Sequence, residues 1–388
     1  MLKCFCGIDI SKDSFHAALI DDLGQRCWSR SFPMTWPGFQ DLINRLPPMG
    51  LLIGMESTGI YGLNLLFFLR ERAFDVRLLN PLLIVRFAKL SLRQTKTDKR
   101  DAHTIAEFLR QHAAHLTPPP VIDESLRTLA RERETLSRQT TAAKNEIKQL
   151  LHILFPELLG LINPFTGSSL SLLAAFPSKD TLGQAPLPAL RKAWMTAGRG
   201  RKPDQPLAQL IAAARSSVGL SSPTYEAILQ SKIRVLQLLD RELAAITQQL
   251  IQACRQQLPQ AMAVLESIAG LGEVTAAHFL AETHAREFAT PQKLIAYAGL
   301  DPIIRESGQW KGSGRISKRG NKSLRRVLFL ISVSVIRFNP IFREAYERKR
   351  SEGKAYRQAV LAVSHKLLRV IHALLRHHEL FNPAYKSI

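Results

Sequence analysis

The chain predicts an α/β N-terminal domain, then a long helical coiled-coil arm, then a mostly α C-terminal domain. Three patterns predict it. Residues 3–32 alternate apolar and polar positions, and strand and helix patterns then take turns to about 111. Apolar residues recur at three- and four-residue steps over 126–154 and again over 225–257. From about Ala261 onward, helical segments are punctuated by glycine.

In order, KCFCGIDISKDSFHAALI at 3–20 reads as two strands joined by a polar turn at 11–14, and RCWSRSF at 26–32 adds a third. A short helix from about Pro37 to Leu46 follows, then the apolar strand LLIGME at 51–56. A helix from about Tyr61 to Ala73, a strand DVRLLN at 75–80 and further helix to about Gln111 complete the set. Three meandering strands followed by alternating strand and helix is the order of an RNase H-like domain, with a mixed sheet between helices. Thr117 with Pro118, Pro119 and Pro120 stops helix and reads as a stiff linker, so the first domain spans 1–117.

The arm spans 118–260. Leu126, Leu129, Leu136, Ala143, Ile147, Leu150 and Leu154 mark one helix, with Arg133 and Thr140 interrupting the seam. Ile228, Val235, Leu239, Ile246 and Leu250 mark a second, able to pair antiparallel with the first. Residues 160–223, rich in Pro, Gly and Ser, read as an inserted loop or subdomain carrying Trp194 and the basic run GRGRK at 198–202. The last domain, 261–388, opens with a helix end, a tight Gly270-Leu271-Gly272 turn and another helix. Such a turn can present backbone amides to phosphate, and an ordinary glycine-capped hairpin fits the same spacing. Helices at about 321–338 and 354–376 close the chain.

Of 388 residues, 46% are hydrophobic, enough for full cores, and 53 Lys and Arg against 32 Asp and Glu leave a net charge of +21. That field attracts polyanions, nucleic acid first. No uninterrupted apolar run long enough to span a bilayer occurs, and Asp9, Lys12 and Asp13 break any signal-like core near the start, so a cytoplasmic, nucleoid-associated protein without membrane partners is expected. Cys4, Cys6, Cys27 and Cys254 form no C-x-x-C pair and read as buried, reduced thiols rather than zinc ligands.

Chemistry concentrates at two places. Asp9 lies mid-strand between Ile8 and Ile10, where a carboxylate is costly unless it meets a cation or donor. Glu56 ends the LLIGME strand, and Asp98 and Asp101 share one helix face in TKTDKRDAHTIAEFL. Four such acids repel one another unless Mg²⁺ or Mn²⁺ gathers them, which points to phosphoryl chemistry. Singly, each has a plainer role: Asp9 as a turn-side surface acid, Glu56 as a helix-start acid, Asp98 as a partner of the helix dipole.

Near the other end, RESGQWKGSGRISKRGNKSLRR at 305–326 holds eight Lys or Arg against one acid, Glu306. Its glycines let the backbone lie along a phosphate chain while Lys311, Arg315, Lys318, Arg319, Asn321, Lys322, Arg325 and Arg326 contact it. A solvated basic loop has the same composition. Ser307, between Glu306 and Gly308, is a hydroxyl in an electropositive setting.

Taken together, GIDISKDSF, MESTGIYG, KTDKRDAHTIAEFL, AGLGEVTAAHFLAE, YAGLDP, ESG and GRISKRGNKSLRR resemble the DEDD transposases of bacterial insertion sequences, the IS110 group, over nearly the whole chain. The resemblance implies a RuvC-like N-terminal domain whose catalytic, metal-binding quartet is Asp9, Glu56, Asp98 and Asp101. It also implies a C-terminal transposase domain whose nucleophile is Ser307 of the S-G motif, with Ser317 as the fallback. The implied reaction is recombination through a phosphoserine intermediate, on donor and target DNA chosen by a non-coding bridge RNA, in a homo-oligomer, dimer or tetramer. Residues 160–223 depart most from the family pattern. The alternative is a RuvC-like, metal-dependent junction endonuclease that uses water and no serine.

Overall fold

The computed structural model describes residues 4–56, 61–89, 98–116, 125–196, 204–303, 306–307, 310–311 and 315–383, with the backbone alone at 98–100, 115, 204–206, 306–307, 310–311 and 315. The chain divides into two compact units, Met1–Ile122 and Asp123–Ile388. The expected linker at 117–120 and the basic run at 198–202 lie outside the described residues.

In the first unit, β1 (Cys4–Ile10), β2 (Ser14–Asp21) and β3 (Arg26–Pro33) form the expected antiparallel meander. The polar turn closes where Ser11 N–H donates to Ser14 O at 2.9 Å. α1 (Trp36–Ile43) starts on a Thr35 cap with Pro37 in its first turn, which presets helical backbone without losing a bond. β4 (Leu51–Glu56), α2 (Leu63–Glu71), β5 (Val76–Leu79), α3 (Pro81–Ala88) and α4 (Asp98–His112) follow. The sheet order is β3-β2-β1-β4-β5, with β1, β4 and β5 mutually parallel. One face buries Cys6, Ile8, Ile53 and Met55 with Phe39 of α1 and Leu65 of α2, and the other buries Phe5 and Leu52 with Ile84 of α3 and Ile105 and Leu109 of α4. β4 therefore needs apolar residues on both faces, hence its unbroken apolar run.

In the second unit, α5 (Ser125–Leu154) pairs with α11 (Pro223–Gln257). Arg133 Nε donates to Thr247 Oγ1 at 3.1 Å and Lys232 meets Glu146 at 2.6 Å, so the pair is antiparallel. Between them lie α6 (Leu158–Leu161), α7 (Gly167–Ala175), α8 (Lys179–Gln184), α9 (Leu187–Met195) and α10 (Asp204–Arg215). These short helices share a core with one end of the pair, through Ile147, Leu151, Leu173, Leu190, Leu210 and Ile233. The insertion is thus a folded subdomain rather than a loop.

Of the seam expected on α11, Leu250 is buried and Leu239 packs against the core, but its first two positions are displaced by one residue. Leu229, Ile233 and Leu236 are buried, whereas Ile228 and Val235 remain 40% and 45% exposed. Here α7 is a second neighbour, with Gln230 Nε2 donating to Ala174 O at 2.9 Å, and two contacts rather than one choose which stripe turns inward. On α5, Thr140 is buried within the seam and Leu151, not Leu150, fills the core.

Beyond the arm come α12 (Pro259–Glu266), α13 (Glu273–Thr283), α14 (Pro291–Tyr297), and the two-residue strands β6 (Pro302–Ile303), β7 (Glu306–Ser307), β8 (Trp310–Lys311) and β9 (Arg315–Ile316). α15 (Lys322–Phe338), α16 (Pro340–Ser351) and α17 (Tyr356–His377) follow. α16 is absent from the sequence reading because FREAYERKRS offers little apolar periodicity; Asn339 caps it and Pro340 opens it. α17 alone among the described helices is long and apolar enough to cross a membrane, yet Val363, Leu367, Leu368 and Ile371 place it in the core of this unit. The four thiols are free; Cys6 and Cys254 are buried, and Cys27, against expectation, is exposed. It sits on β3, an edge strand of the sheet.

Candidate functional site

The frame of the acidic site is set by two glycines. A Cβ on Gly7 would stand 2.1 Å from Ala102 O and 2.4 Å from Ala106 N, and one on Gly54 would stand 2.6 Å from Leu109 Cδ1. Without side chains at these positions, the α4 backbone lies directly on β1 at Gly7 and the Leu109 side chain lies on β4 at Gly54. Phe5, Gly7 and Asp9 share that face of β1 by the two-residue alternation, as Leu52, Gly54 and Glu56 do on β4. Parallel pairing ends at Ile8↔Met55, and one further step of the same register sets Asp9 beside Glu56.

Ala102, next to Asp101 at the start of α4, lies against Gly7, two residues before Asp9 on β1. Asp9, Glu56 and Asp101 are half-buried, and the Asp98 side chain lies outside the described residues. Among the described residues no three His, Cys, Asp or Glu side chains are already gathered into a metal cage. The donor set, carboxylate oxygens alone at one sheet edge, fits a hard divalent cation. The other end of α4 is braced by Glu107, which accepts from Arg110 Nε at 2.9 Å and Nη2 at 2.6 Å.

In the second unit, Ser307 ends β7 and pairs with Trp310 of β8, while Glu306 pairs with Lys311. The side chains of Ser307, Lys311 and Arg315, together with Gly308, Gly312 and Gly314, lie outside the described residues. Ser317 Oγ donates to Asp301 Oδ1 at 2.5 Å and accepts from Arg319 N–H at 3.3 Å, so this hydroxyl braces the loop. Gly299 and Gly320 approach so closely that a Cβ on Gly320 would meet Tyr297 O at 2.3 Å. The loop backbone is held further by Lys318 N–H to Gly299 O at 3.0 Å and Asn321 N–H to Tyr297 O at 2.7 Å.

This bracing sorts the cations. Lys318, Arg319 and Lys322 are exposed. Arg325, half-buried, instead donates Nη1 to Ala298 O at 2.9 Å, while Arg326, exposed like the first three, donates Nη1 to Glu134 Oε1 at 3.0 Å. Asn321 is a framework residue: its Oδ1 caps α15 at Leu324 N–H, and its Nδ2 donates to Glu282 Oε2 at 2.6 Å. Glu282 is fully buried, and Arg127 and Arg131 of α5 approach it to 3.7 and 3.6 Å. Beside it, His278 Nε2 lies 2.8 Å from Ser323 Oγ, which donates to Glu134 Oε2 at 2.7 Å. Burial holds the His278 imidazole below its usual range, outweighing the attraction of Glu282. For Glu134, burial pushes the pKa up, but the bonds from Ser323 and Arg326 carry it below the usual carboxylate value.

Gly270, at φ +94°, backs onto α15, where a Cβ would meet Ser334 O at 2.9 Å; Gly272 has open space before it at the start of α13. The sequence reading passed over Gly7, Gly54, Asp301, Glu282, Glu134 and His278. A glycine inside each central strand, and an acid inside the apolar stretch HFLAET, were the available signals.

Residues 6–156 match the family model of a DEDD transposase of the IS110 type, and residues 262–347 match that of the transposase IS116/IS110/IS902 family; between them they take in more than half of the chain. The chain belongs to the IS110 family of transposases. The 42 kDa protein of insertion element IS900 from Mycobacterium paratuberculosis is 28% identical, over 98% of this chain and 97% of its own length. The 43.6 kDa protein of insertion element IS110 from Streptomyces coelicolor is 27% identical over 96% and 94%. The pilin gene-inverting protein of Moraxella bovis is 25% identical over 98% of both. Family membership makes this a transposase of an insertion element, an enzyme class that cuts and joins DNA.

Proposed function

We propose that this transposase exchanges DNA strands through a covalent phosphoserine intermediate at Ser307, with Asp9, Glu56, Asp98 and Asp101 of a RuvC-like, RNase H-fold domain as the acidic half of the site. The observation that supports the reading is the β1–β4 register, whose last pair, Ile8↔Met55, stands one residue before Asp9 and Glu56, with Ala102 of α4 against Gly7, in a chain of this family. The four carboxylates would hold Mg²⁺ or Mn²⁺, which when bound supplies charge stabilisation at the reacting phosphate. Ser307 Oγ loses its proton and attacks phosphorus; the P–O bond to one DNA oxygen breaks, and that oxygen leaves as a hydroxyl after taking up a proton. Attack by a hydroxyl of the second DNA on the phosphoserine reverses these changes and frees the serine. Lys318, Arg319 and Lys322 neutralise phosphates along the strand, with Lys311 and Arg315 assigned the same role by their place in the motif.

The acids and Ser307 belong to different compact units, so a complete site requires the two brought together within one protomer or between protomers of a homo-oligomer. A bridge RNA, paired to donor and target DNA, would select both sites, and the net charge of +21 suits RNA and DNA alike. A junction nuclease using water would leave cut ends. By its name the Moraxella relative inverts a gene, which needs rejoining as well as cutting, and this favours recombination.

The test is covalent capture. With Mg²⁺, end-labelled DNA and the cognate RNA, the native chain is expected to form a labelled protein–DNA adduct stable to denaturant. Ser307→Ala should abolish adduct and product, and Asp9→Asn or chelation of the metal should do the same. Recombination that survives in Ser307→Ala would overturn the serine assignment and leave the hydrolytic reading.

A further inference from the structure

The inserted subdomain between α5 and α11 carries a cleft that the recombination chemistry does not use. It has a volume of about 590 Å³ and is lined by Lys148, Gly160, Leu161, Asn163 and Phe165 among others. Such a volume lies within the range of small-ligand sites, about 300–1,000 Å³. Residues 159–165 fall between the two family matches, which end at 156 and resume at 262.

The cleft is built rather than incidental. Asn163 Oδ1 accepts from Phe165 N–H at 3.0 Å, Pro164 is buried, and Thr166 caps α7 by accepting from Ser169 N–H at 3.2 Å, so the turn presenting the Phe165 ring is fixed on both sides. Lys144 and Lys148, one turn apart on α5, hold their Nζ atoms 5.8 and 5.7 Å from the ring centroid. Lys144 meets Asp240 only at the 4.0 Å limit, and among the described residues Lys148 makes no ion pair. Gly160 leaves open space in the wall, with nothing within 4 Å of where a Cβ would stand. Phe165 packs against the subdomain core and both ammonium groups lie over its ring; on flexible stems they can swing to phosphates while a base takes their place on the ring face.

We propose that this cleft binds an unpaired nucleotide of a nucleic-acid strand, stacked on Phe165 and held through its phosphates by Lys144 and Lys148. A base paired within a duplex keeps its face covered by its neighbours, so the site selects single-stranded segments, whether of RNA or of opened DNA. The inference rests on the transposase handling nucleic acid and on none of the catalytic assignments, so failure of the Ser307 or Asp9 tests leaves its readout untouched.

The experiment uses the full-length chain with 5-iodouracil-labelled single-stranded RNA, single-stranded DNA and duplex DNA of one sequence, crosslinked by light and mapped by peptide mass spectrometry, with affinities from fluorescence anisotropy. The crosslink is expected on the peptide holding Phe165, with RNA alone, DNA alone or both identifying the source. Phe165→Leu, which keeps an apolar side chain in the cleft, should weaken single-strand binding about tenfold and duplex binding little. Lys148→Gln, on an exposed helix face, tests the same site without touching the turn. Absence of the crosslink with unchanged single-strand affinity in both variants would overturn the proposal, as would equal losses for single strand and duplex.

Discussion

Gly7 is the residue on which the acidic edge depends most. With Ala102 O 2.1 Å from where its Cβ would stand, Gly7→Ala must lift α4 or bend β1. Overpacking of this kind costs about 1–3 kcal/mol. Urea unfolding should show that loss, and metal-dependent cleavage should fall further than stability because the turn holding Asp98 and Asp101 moves with α4. A variant as stable and active as the native chain would mean the close approach is not needed. His278 gives a second prediction at this scale. Its folded pKa lies below the ordinary 6.5 because burial disfavours the imidazolium. Stability is therefore full above about pH 6.5 and declines as the pH falls from there toward the folded value, where the folded protein too takes the proton. His103 and His365, also lowered chiefly by burial, act in the same direction. His278→Gln should flatten, without abolishing, the fall in melting temperature on acidification, and an unchanged slope would show that this imidazole does not matter to it.

At the scale of elements, Glu282 joins α13 to α5 through Arg127 and Arg131, and to the start of α15 through Asn321. Removing one partner of a buried ion pair costs about 3–5 kcal/mol, here because Arg127, 11% exposed, would stay without its counter-charge, whereas Arg131 is 61% exposed and can turn to water. Glu282→Ala is expected to lose stability of that order in chemical denaturation, with a smaller loss in Glu282→Gln, which keeps an acceptor for Asn321. These partners are far apart in sequence, so no local pattern pairs them. The first two turns of the α11 seam were illegible for a related reason. Ile228 and Val235 fit a helical stripe as well as Leu229, Ile233 and Leu236 do, and only the packed subdomain decides which stripe is buried.

For the whole molecule, a net charge of +21 ties nucleic-acid affinity to ionic strength. Each phosphate neutralised releases counterions, giving a linear fall of log affinity with log salt whose slope is about −0.9 per contact on duplex DNA. Lys318→Gln and Arg319→Gln should each reduce that slope by about one, whereas Arg325→Gln, whose guanidinium serves Ala298 O, should cost stability and leave the slope nearly unchanged. Salt titrations with one duplex discriminate the two kinds of cation, and equal slopes in all three variants would undo the distinction.

By itself the sequence determined the meander of β1, β2 and β3, the parallel strands after it, the antiparallel pairing of α5 with α11, and the acids to examine, because these follow from residue periods and from the cost of a carboxylate among apolar neighbours. Tertiary structure alone decided that Gly7 and Gly54 let α4 settle on the sheet, that Asn321 and Arg325 face inward, and that the insertion folds onto a core shared with α5 and α11, with Phe165 in a cleft. The division has one cause. Periodicity reports how a segment sorts water from oil along its own axis, whereas the partner of a buried charge, or the backbone pressed against a glycine, is chosen by segments distant in the chain.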